Sequence, residues 1–452
     1  MKSFSQLPLS IAMQKNLKKL SYFTMTPVQE VSIGPILEGN DVLAQAKTGS
    51  GKTAAFGIGL LQNLNVQRFR IQALVLCPTR ELAEQVSEEL RKIARFEHNI
   101  KIIKITGGLP LYKQEHSLSH QAHIVVGTPG RVLKLLERGS LSLREVRTLV
   151  LDEADRMLDM GFIDQIRDII SFAPVKRQTL CFSATFPDDV KKLSRSIQRN
   201  PLELAVDKEH DSSVIAQHFY HAANREKGKA LLALLSQFRP ENVIVFCNTK
   251  EVCRKVNREL SEGGLHSLTL NGDLEQKERT EVLIRFANGS SNVLVATDVA
   301  ARGLDIKSLG AVINYDVPFD RETYIHRIGR TGRAGEEGLA LSLVVPGEEF
   351  RLDDMNPVFE ETPEIGESEK AFPDPPMITL SINGGRKNKI SAGDVLGALT
   401  CEGGLSGDEV GKIDRQDYLT FVAVKRAVAA KALDLLERGQ VKGRRFKAII
   451  ND

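Results

Sequence analysis

The sequence predicts an α/β protein: two parallel-sheet domains followed by a small split βαβ (α+β) domain. Three observations point there. The chain has 452 residues, more than one ordinary hydrophobic core organises. Short β-branched runs alternate with amphipathic helical patterns in two successive series, and buried strands interleaved with helices imply parallel sheets built from right-handed βαβ units. From residue 377 the rhythm changes to strand, helix, strand, strand, helix, strand, which is the split βαβ order.

The first series holds ALVLC before a helix near Glu81, HIVVG before one near Val132, then TLVLD and QTLCFSAT. The second holds NVIVFCNT, NVLVATD and AVINYD. Between them, residues 207–213 (DKEHDSS) carry no apolar period and read as a linker, so domains are expected over 1–206 and 214–345. Residues 346–376 are acidic and proline-rich without a period, and read as a flexible tether. The rest, 377–452, is expected as strand ITLSI, a helix over 391–399, strands EVGKI and LTFVAV, a helix over 427–436 and strand FKAII.

Composition excludes several classes. With 42% hydrophobic and 26% charged residues the chain is neither disordered nor collagen-like. Its cysteines, Cys77, Cys181, Cys247, Cys253 and Cys401, are odd in number and scattered. They fit reduced thiols better than a disulfide framework or a CxxC zinc site. No apolar run approaches the ~18 residues a membrane helix needs, and MKSFSQLPLS lacks a signal-peptide core. A cytoplasmic protein with no membrane partner is therefore expected. The net charge of +3 divides into +7 over 1–345, −8 over 346–376 and +4 over 377–452: two basic units joined by an acidic tether.

The chemistry begins at DVLAQAKTGSGKT, a strand followed by a loop ending in Gly51-Lys52-Thr53. Such a loop turns successive backbone N–H groups toward a triphosphate at a helix start, while Lys52 adds a point charge and Thr53 can hold Mg²⁺. The literal phosphate-loop pattern wants glycine where Ala46 stands; Lys47, Thr48, Gly49 and Ser50 fit the remainder. One hundred residues after Lys52, an apolar strand delivers Asp152, Glu153, Ala154 and Asp155. A carboxylate at such a strand end is where Mg²⁺ bridging two phosphates would be held, and Glu153 is then placed to activate an attacking water. A glycine-rich turn and a solvated acidic loop are the plainer readings of each motif alone; together they point to a nucleoside triphosphate.

AKTGSGKT, DEAD, SAT (183–185) and HRIGRTGR (326–333) resemble the motifs of the DEAD-box RNA helicases, as do PTRELA (78–83), Gly107-Gly108, TPGR (128–131), VFCNT (245–249), QKER (276–279) and ATDVAARGLDI (296–306). The order and spacing are also the family's. Upstream, TPVQ ending in Gln29, with Phe4 seventeen residues before Ser21, is similar to the family's adenine-reading Q motif, although Ser21 stands where glycine is usual. The departure is expected to alter a turn and leave Gln29 competent.

The resemblance implies two RecA-like domains that close on ATP and RNA. It gives Lys52, Thr53 and Asp152 to the phosphates and Mg²⁺, Glu153 to water activation, Phe4 and Gln29 to adenine and Asp305 to the ribose. Arg330 and Arg333 would act as arginine fingers, and Asp155, Ser183, Thr185 and His326 would couple nucleotide state to closure. Arg80, Gly108, Thr128, Arg131 and Thr297 would lie along the RNA backbone. A basic surface loop binding RNA phosphates is the plainer reading of Arg327, Arg330 and Arg333.

The tail adds a target. INGGRKNKISAGDVLGALT (382–400), GKID (411–414), FVAVKRAVAAKA (421–432) and KGRRF (442–446) resemble the carboxyl-terminal domain of one bacterial subfamily of these helicases. That resemblance implies an RRM-like domain recognising a hairpin near the peptidyl-transferase centre of 23S rRNA, in large-subunit assembly. Such folds stack bases on sheet aromatics, yet here the first strand has none and the third offers only Tyr418 and Phe421. The basic candidates are instead Arg386, Lys387, Lys389, Lys412, Lys442, Arg444 and Arg445. A monomeric RNA-dependent ATPase and helicase is the expected whole. An ATP-gated RNA clamp, or a general chaperone whose tail docks on a protein or another RNA, needs the same residues.

Overall fold

The computed structural model describes residues 2–46, 49–205, 215–301, 309–332, 337–355, 357–361, 372–400 and 404–451. Two compact units emerge, one carrying a first sheet and the other a second and a third.

The first sheet contains β1 (Val42–Gln45), β2 (Ala73–Leu76), β3 (Ile102–Ile105), β4 (Ile124–Gly127), β5 (Thr148–Asp152), β6 (Gln178–Ser183) and β7 (Leu202–Ala205). Its order is β3-β4-β2-β5-β6-β1-β7, and every neighbouring pair is parallel. Alternate residues of one strand feed two cores: Ala73 and Val75 join the cluster on one face, Leu74 and Leu76 that on the other. Helices on both faces explain why these strands read as unbroken apolar runs.

The second sheet contains β8 (Ile215–His221), β9 (Val243–Cys247), β10 (Ser267–Leu270), β11 (Val293–Thr297), β12 (Ala311–Asn314), β13 (Gly338–Val344) and β14 (Phe359–Glu360). It is also parallel, ordered β10-β11-β9-β12-β13-β8-β14. Strand for strand this repeats the first sheet's order, without a repeat visible in the residues. Cys77, Cys181, Cys247 and Cys253 are buried free thiols; Cys401 lies outside the described residues. No helix among the described residues is long and apolar enough to cross a membrane.

β14 corrects the expectation of a tether free from 346 onward. Phe359 and Glu360 pair with Phe219 and Tyr220 of β8, the Phe359 ring stacks on His221 with centroids 3.9 Å apart, and Leu352 is fully buried. Glu360 accepts from His218 Nδ1 at 2.6 Å and from Tyr220 Oη at 3.1 Å. Edge-strand pairing and buried apolar contact thus outweigh local acidity. The stretch 362–371 and the linker 207–213 lie outside the described residues.

The third sheet, β15 (Met377–Ile382), β16 (Val410–Arg415), β17 (Thr420–Lys425) and β18 (Ala448–Asn451), is antiparallel in the order β16-β17-β15-β18. Helices Ala392–Thr400 and Ala429–Arg438 supply Val395, Leu399 and Leu436 to a core with Ile378, Leu380, Ile382, Val422 and Val424. By strand alternation Thr379 and Asn451 point from the opposite face. The second-sheet domain covers part of that face, although Ile449 on it is 52% exposed. Thr379 Oγ1 accepts from Asn288 Nδ2 at 2.9 Å and bonds Ser290 Oγ at 2.8 Å. Asn451 Nδ2 donates to Glu281 Oε1 at 2.6 Å, and Met377 N to the Gly289 carbonyl at 3.3 Å. Of the two aromatics at β17, Phe421 is 3% exposed, and Tyr418 is exposed but precedes the strand.

Candidate active site and nucleic-acid interface

In the first unit every expected site residue that is described, apart from those of the amino-terminal Q motif, lies at or just beyond the carboxyl end of a strand. Ligands of open α/β sheets gather at this edge. The sheet order sorts them. The ends of β5, β6 and β1 deliver the phosphate-site and coupling residues, and the ends of β3, β4 and β2 deliver the expected RNA contacts. The two groups meet where β2 borders β5.

The phosphate loop enters helix Lys52–Gln62 through Gly51 at φ 88°, and Gly49 is also left-handed at φ 83°. A Cβ on Gly51 would collide with the Gln29 amide and stand 3.2 Å from Thr26 Oγ1. Thr26 Oγ1 donates to the Ser50 carbonyl at 2.7 Å, and Gln29 Nε2 donates to the Gly51 carbonyl at 3.0 Å. Gln29 Oε1 accepts from Thr26 N at 2.9 Å, closing a capping box on helix Pro27–Leu37. Gln29 therefore ties the Q motif to the loop, a role that its spacing alone did not show. Lys47 and Thr48 lie outside the described residues. Ser21 sits at φ 63°, a conformation that explains why glycine is favoured there and costs a non-glycine residue about 1 kcal/mol. Phe4 is 3% exposed and packs edge-on against Tyr22 with centroids 5.7 Å apart. Stacking it on adenine would require this amino-terminal turn to open.

Lys52 Nζ lies 2.8 Å from Asp152 Oδ1 and 3.4 Å from Glu153 Oε1, all three side chains at most 4% exposed. Burial opposes the charge of Lys52, but the facing carboxylates of Asp152 and Glu153 outweigh it and raise its pKa above the ordinary lysine value. Burial pushes the Asp152 carboxyl up, with Lys52 opposing and Glu153 reinforcing. Asp152 Oδ2 has no hydrogen-bond donor among the described residues. A buried carboxylate oxygen without a donor suits a hard cation. Among the described residues no three His, Cys, Asp or Glu side chains form a metal cage.

Glu153 occupies a left-handed conformation, φ 55° and ψ 57°, at the start of helix Ala154–Asp159. For a non-glycine residue this stores strain of order 1 kcal/mol or more. Asp155 Oδ2 accepts from Ala184 N and Thr185 N, each at 3.0 Å, and from Thr185 Oγ1 at 3.1 Å. Ser183 Oγ accepts from Asp155 N at 3.2 Å. The expected coupling residues of this unit are thus directly bonded. Arg156, which sequence reasoning passed over, is buried with Nη1 3.5 Å from Glu153 Oε2.

On the RNA half, a Cβ on Gly107 would come within 2.8 Å of Arg80 Nη2, so that guanidinium lies against the Gly107 backbone. Gly108 is left-handed at φ 82°. Arg131 Nη1 donates to the Leu109 carbonyl at 2.9 Å, joining helix Pro129–Glu137 to the same loop, and Thr128 is the cap of that helix.

In the second unit Thr297 ends β11, and His326 lies in helix Arg321–Ile328, just before Arg330. Arg327 is 2% exposed. Its Nε and Nη2 donate to the two Asp298 oxygens at 2.6 Å each, and other bonds reach the Asp316 carbonyl at 2.6 Å and Asn248 Oδ1 at 2.8 Å. The surface-loop reading of Arg327 is therefore wrong: partners at the ends of three separate strands, β9, β11 and β12, satisfy this guanidinium internally. Arg330 is also buried, at 4%, so a finger role requires it to turn outward. Arg333 and Asp305 lie outside the described residues.

The basic candidates of the tail divide. Lys442 Nζ donates to the Lys389 carbonyl at 2.7 Å, bringing the loops 386–389 and 442–445 together with Arg386, Lys387, Arg444 and Arg445 exposed. Lys412 stands apart on edge strand β16, paired with Asp414 at 3.3 Å.

Three family models match the chain: a DEAD/DEAH box helicase over 26–193, a helicase conserved C-terminal domain over 226–335 and a DbpA RNA binding domain over 379–449. The chain is 51% identical over 450 residues to the ATP-dependent RNA helicase DbpA of Escherichia coli, covering 98% of each. It is 37% identical to the ATP-dependent RNA helicase DbpA of Bacillus subtilis, covering 99% of each. Among solved structures it resembles Saccharomyces cerevisiae Dbp5 bound to RNA and ADP BeF3, with TM-score 0.71 and 31% identity over 80% of this chain and 96% of that one.

Proposed function

This chain belongs to the DbpA group of the DEAD-box ATP-dependent RNA helicases, and from that premise we propose that it separates short RNA duplexes close to a 23S rRNA hairpin, in the cytoplasm, during large-subunit assembly. The observation that carries the targeting is the Lys389–Lys442 contact, which fuses two basic loops into one exposed cluster on a domain whose outward sheet face is partly covered by its neighbour. RNA recognition then falls to the loops rather than to stacking on the sheet. Backbone-directed contacts of Arg80, Gly108, Thr128, Arg131 and Thr297 carry little sequence information, so preference must come from the tail.

In the helicase pair, Lys52, Thr53 and the phosphate-loop N–H groups bind the triphosphate, and Asp152 with Thr53 would hold Mg²⁺, which neutralises phosphate charge when bound. Gln29 keeps the Q motif on the loop, and Glu153 orients and deprotonates the attacking water. Arg330 and Arg333 act as fingers when the two RecA-like domains close, and a finger contributes about 10³–10⁵ in rate. His326 and Asp155 report that closure. Asp305 takes the ribose.

The test is charge reversal at Arg444 and Arg445 in the full chain. ATPase stimulation by a 23S hairpin fragment should fall at least tenfold, while stimulation by a duplex lacking the hairpin stays within twofold. Equal losses on both RNAs would remove the targeting reading and leave a general RNA chaperone.

A further inference from the structure

We propose that Arg156 is a positioning residue for ATP hydrolysis, a buried guanidinium that holds the Glu153 carboxylate in its water-activating orientation once Lys52 engages phosphate. This rests on the reading of Glu153 as the water-activating group.

Arg156 and Glu153 are 4% and 2% exposed, and Nη1 stands 3.5 Å from Oε2. That is ion-pair range, and longer than the ~2.7–2.9 Å of a charge-assisted hydrogen bond. Among the described residues Arg156 Nη1 has no hydrogen-bond partner. Burying a guanidinium with such loose pairing is costly, so stability alone is a poor reason for arginine here. The local charges supply another. Asp152, Glu153 and Asp155 stand within four residues of each other, and Lys52 and Arg156 form ion pairs with the first two of them.

Glu153 is held from two sides: Lys52 faces Oε1 at 3.4 Å and Arg156 faces Oε2. A triphosphate draws Lys52 toward itself. Arg156 then remains at Oε2, the oxygen opposite the one Lys52 faced, and the 3.5 Å gap leaves room for it to close to a hydrogen bond. The geometry of Arg156 is also tied to the coupling residues, because its backbone N donates to Asp155 Oδ1 at 2.9 Å while Asp155 Oδ2 binds Thr185. As the water oxygen bonds to the γ-phosphorus and the bond to the ADP oxygen breaks, the water's proton passes to Glu153. A displacement of about 1 Å in such a group costs about 10² in rate.

The full-length protein carrying Arg156→Met, Arg156→Lys or Glu153→Gln is assayed with saturating RNA. Arg156→Met should lower kcat for ATP between tenfold and a hundredfold with KM within threefold, and Arg156→Lys should recover at least a third of the wild-type kcat. Adding Arg156→Met to Glu153→Gln should cause no further loss. If Arg156→Met keeps kcat within twofold while Glu153→Gln is inactive, the inference fails and Glu153 stands. If Glu153→Gln turns over normally, the reading of Glu153 itself fails. Should Arg156→Met not fold, Arg156→Gln takes its place. Parallel loss of kcat, ATP affinity and melting temperature in both Arg156→Gln and Arg156→Lys would make the residue merely structural and overturn the proposal.

Discussion

Lys52 Nζ and Asp152 Oδ1 stand 2.8 Å apart with side chains 4% and 0% exposed, although their strands β1 and β5 are separated by β6 in the sheet. Two charges so deeply buried stabilise the fold mainly by cancelling each other's desolvation, and removing one strands the other. Lys52→Ala should therefore destabilise the nucleotide-free protein by about 3–5 kcal/mol, and Lys52→Ala with Asp152→Asn should recover much of this. Urea unfolding midpoints read both. Because the pKa of Lys52 is raised in the folded state, its contribution is fully present below the unfolded lysine value, about 10.4, and is lost as pH rises through the folded one. The difference between wild type and Lys52→Ala should thus stay flat from pH 6 to 9 for this group and shrink only in strong alkali.

Glu153→Gln keeps the size and the left-handed backbone of this residue but cannot take a proton. ATP and RNA affinities should stay within about threefold, while turnover falls by about 10²–10⁴, the usual range for a general base. Single-turnover hydrolysis with RNA present measures the chemical step; a rate near wild type would take Glu153 out of the mechanism.

Asp155 Oδ2 accepts three hydrogen bonds from Ala184 and Thr185. Asp155→Ala leaves half-buried donors without their acceptor, each costing up to about 1–3 kcal/mol. ATP affinity should change little, since Lys52 and Asp152 are untouched. Duplex separation should drop more than tenfold and by a larger factor than ATPase activity, as measured on one RNA in one buffer. An equal drop in both would show that Asp155 serves the ATP site and not its coupling.

Most of the candidate ATP site was legible because its groups lie in short contiguous motifs at strand ends: TGSGKT, DEAD and SAT need only their own loop and one parallel neighbour to meet. The residues that escaped are those whose role depends on distant partners. Arg327 in HRIGRTGR looks like its neighbours on paper, yet its bonds to Asn248, Asp298 and Asp316 come from three separate strand ends. Acidity around Phe359 hid an edge strand whose partner, β8, lies far back in the chain. Phe421 was one of only two aromatics that the third strand offered for stacking, and alternation gives its face but not what covers that face.

Burial pushes the thiol of Cys181 up to about 12 and that of Cys77 well above its ordinary value. The thiolate is the reactive form, so neither should be alkylated in the native protein. Iodoacetamide at pH 8 followed by peptide mass spectrometry should leave both intact and label them only after unfolding; rapid native labelling of Cys77 would mean that the ATP site opens to solvent.

The bonds from Asn288 and Ser290 to Thr379 and from Asn451 to Glu281 fix the tail domain on the second RecA-like domain through the face that RRM folds commonly give to RNA. Asn288→Ala with Thr379→Val deletes the buried bonds of Thr379 to Asn288 and Ser290 and loosens that seam by about 1–3 kcal/mol for each group left unpaired. If the fused basic loops read the hairpin, its affinity should remain within about twofold, since Arg386, Lys387, Arg444 and Arg445 are untouched. A duplex tethered to the hairpin would lose its fixed register with the helicase pair, so its separation should slow severalfold, while an untethered duplex is separated as before. Fluorescence anisotropy of the hairpin and gel-resolved strand separation give the two readouts. A tenfold or greater loss of hairpin affinity would instead mean that the docked sheet face itself takes part in reading the RNA.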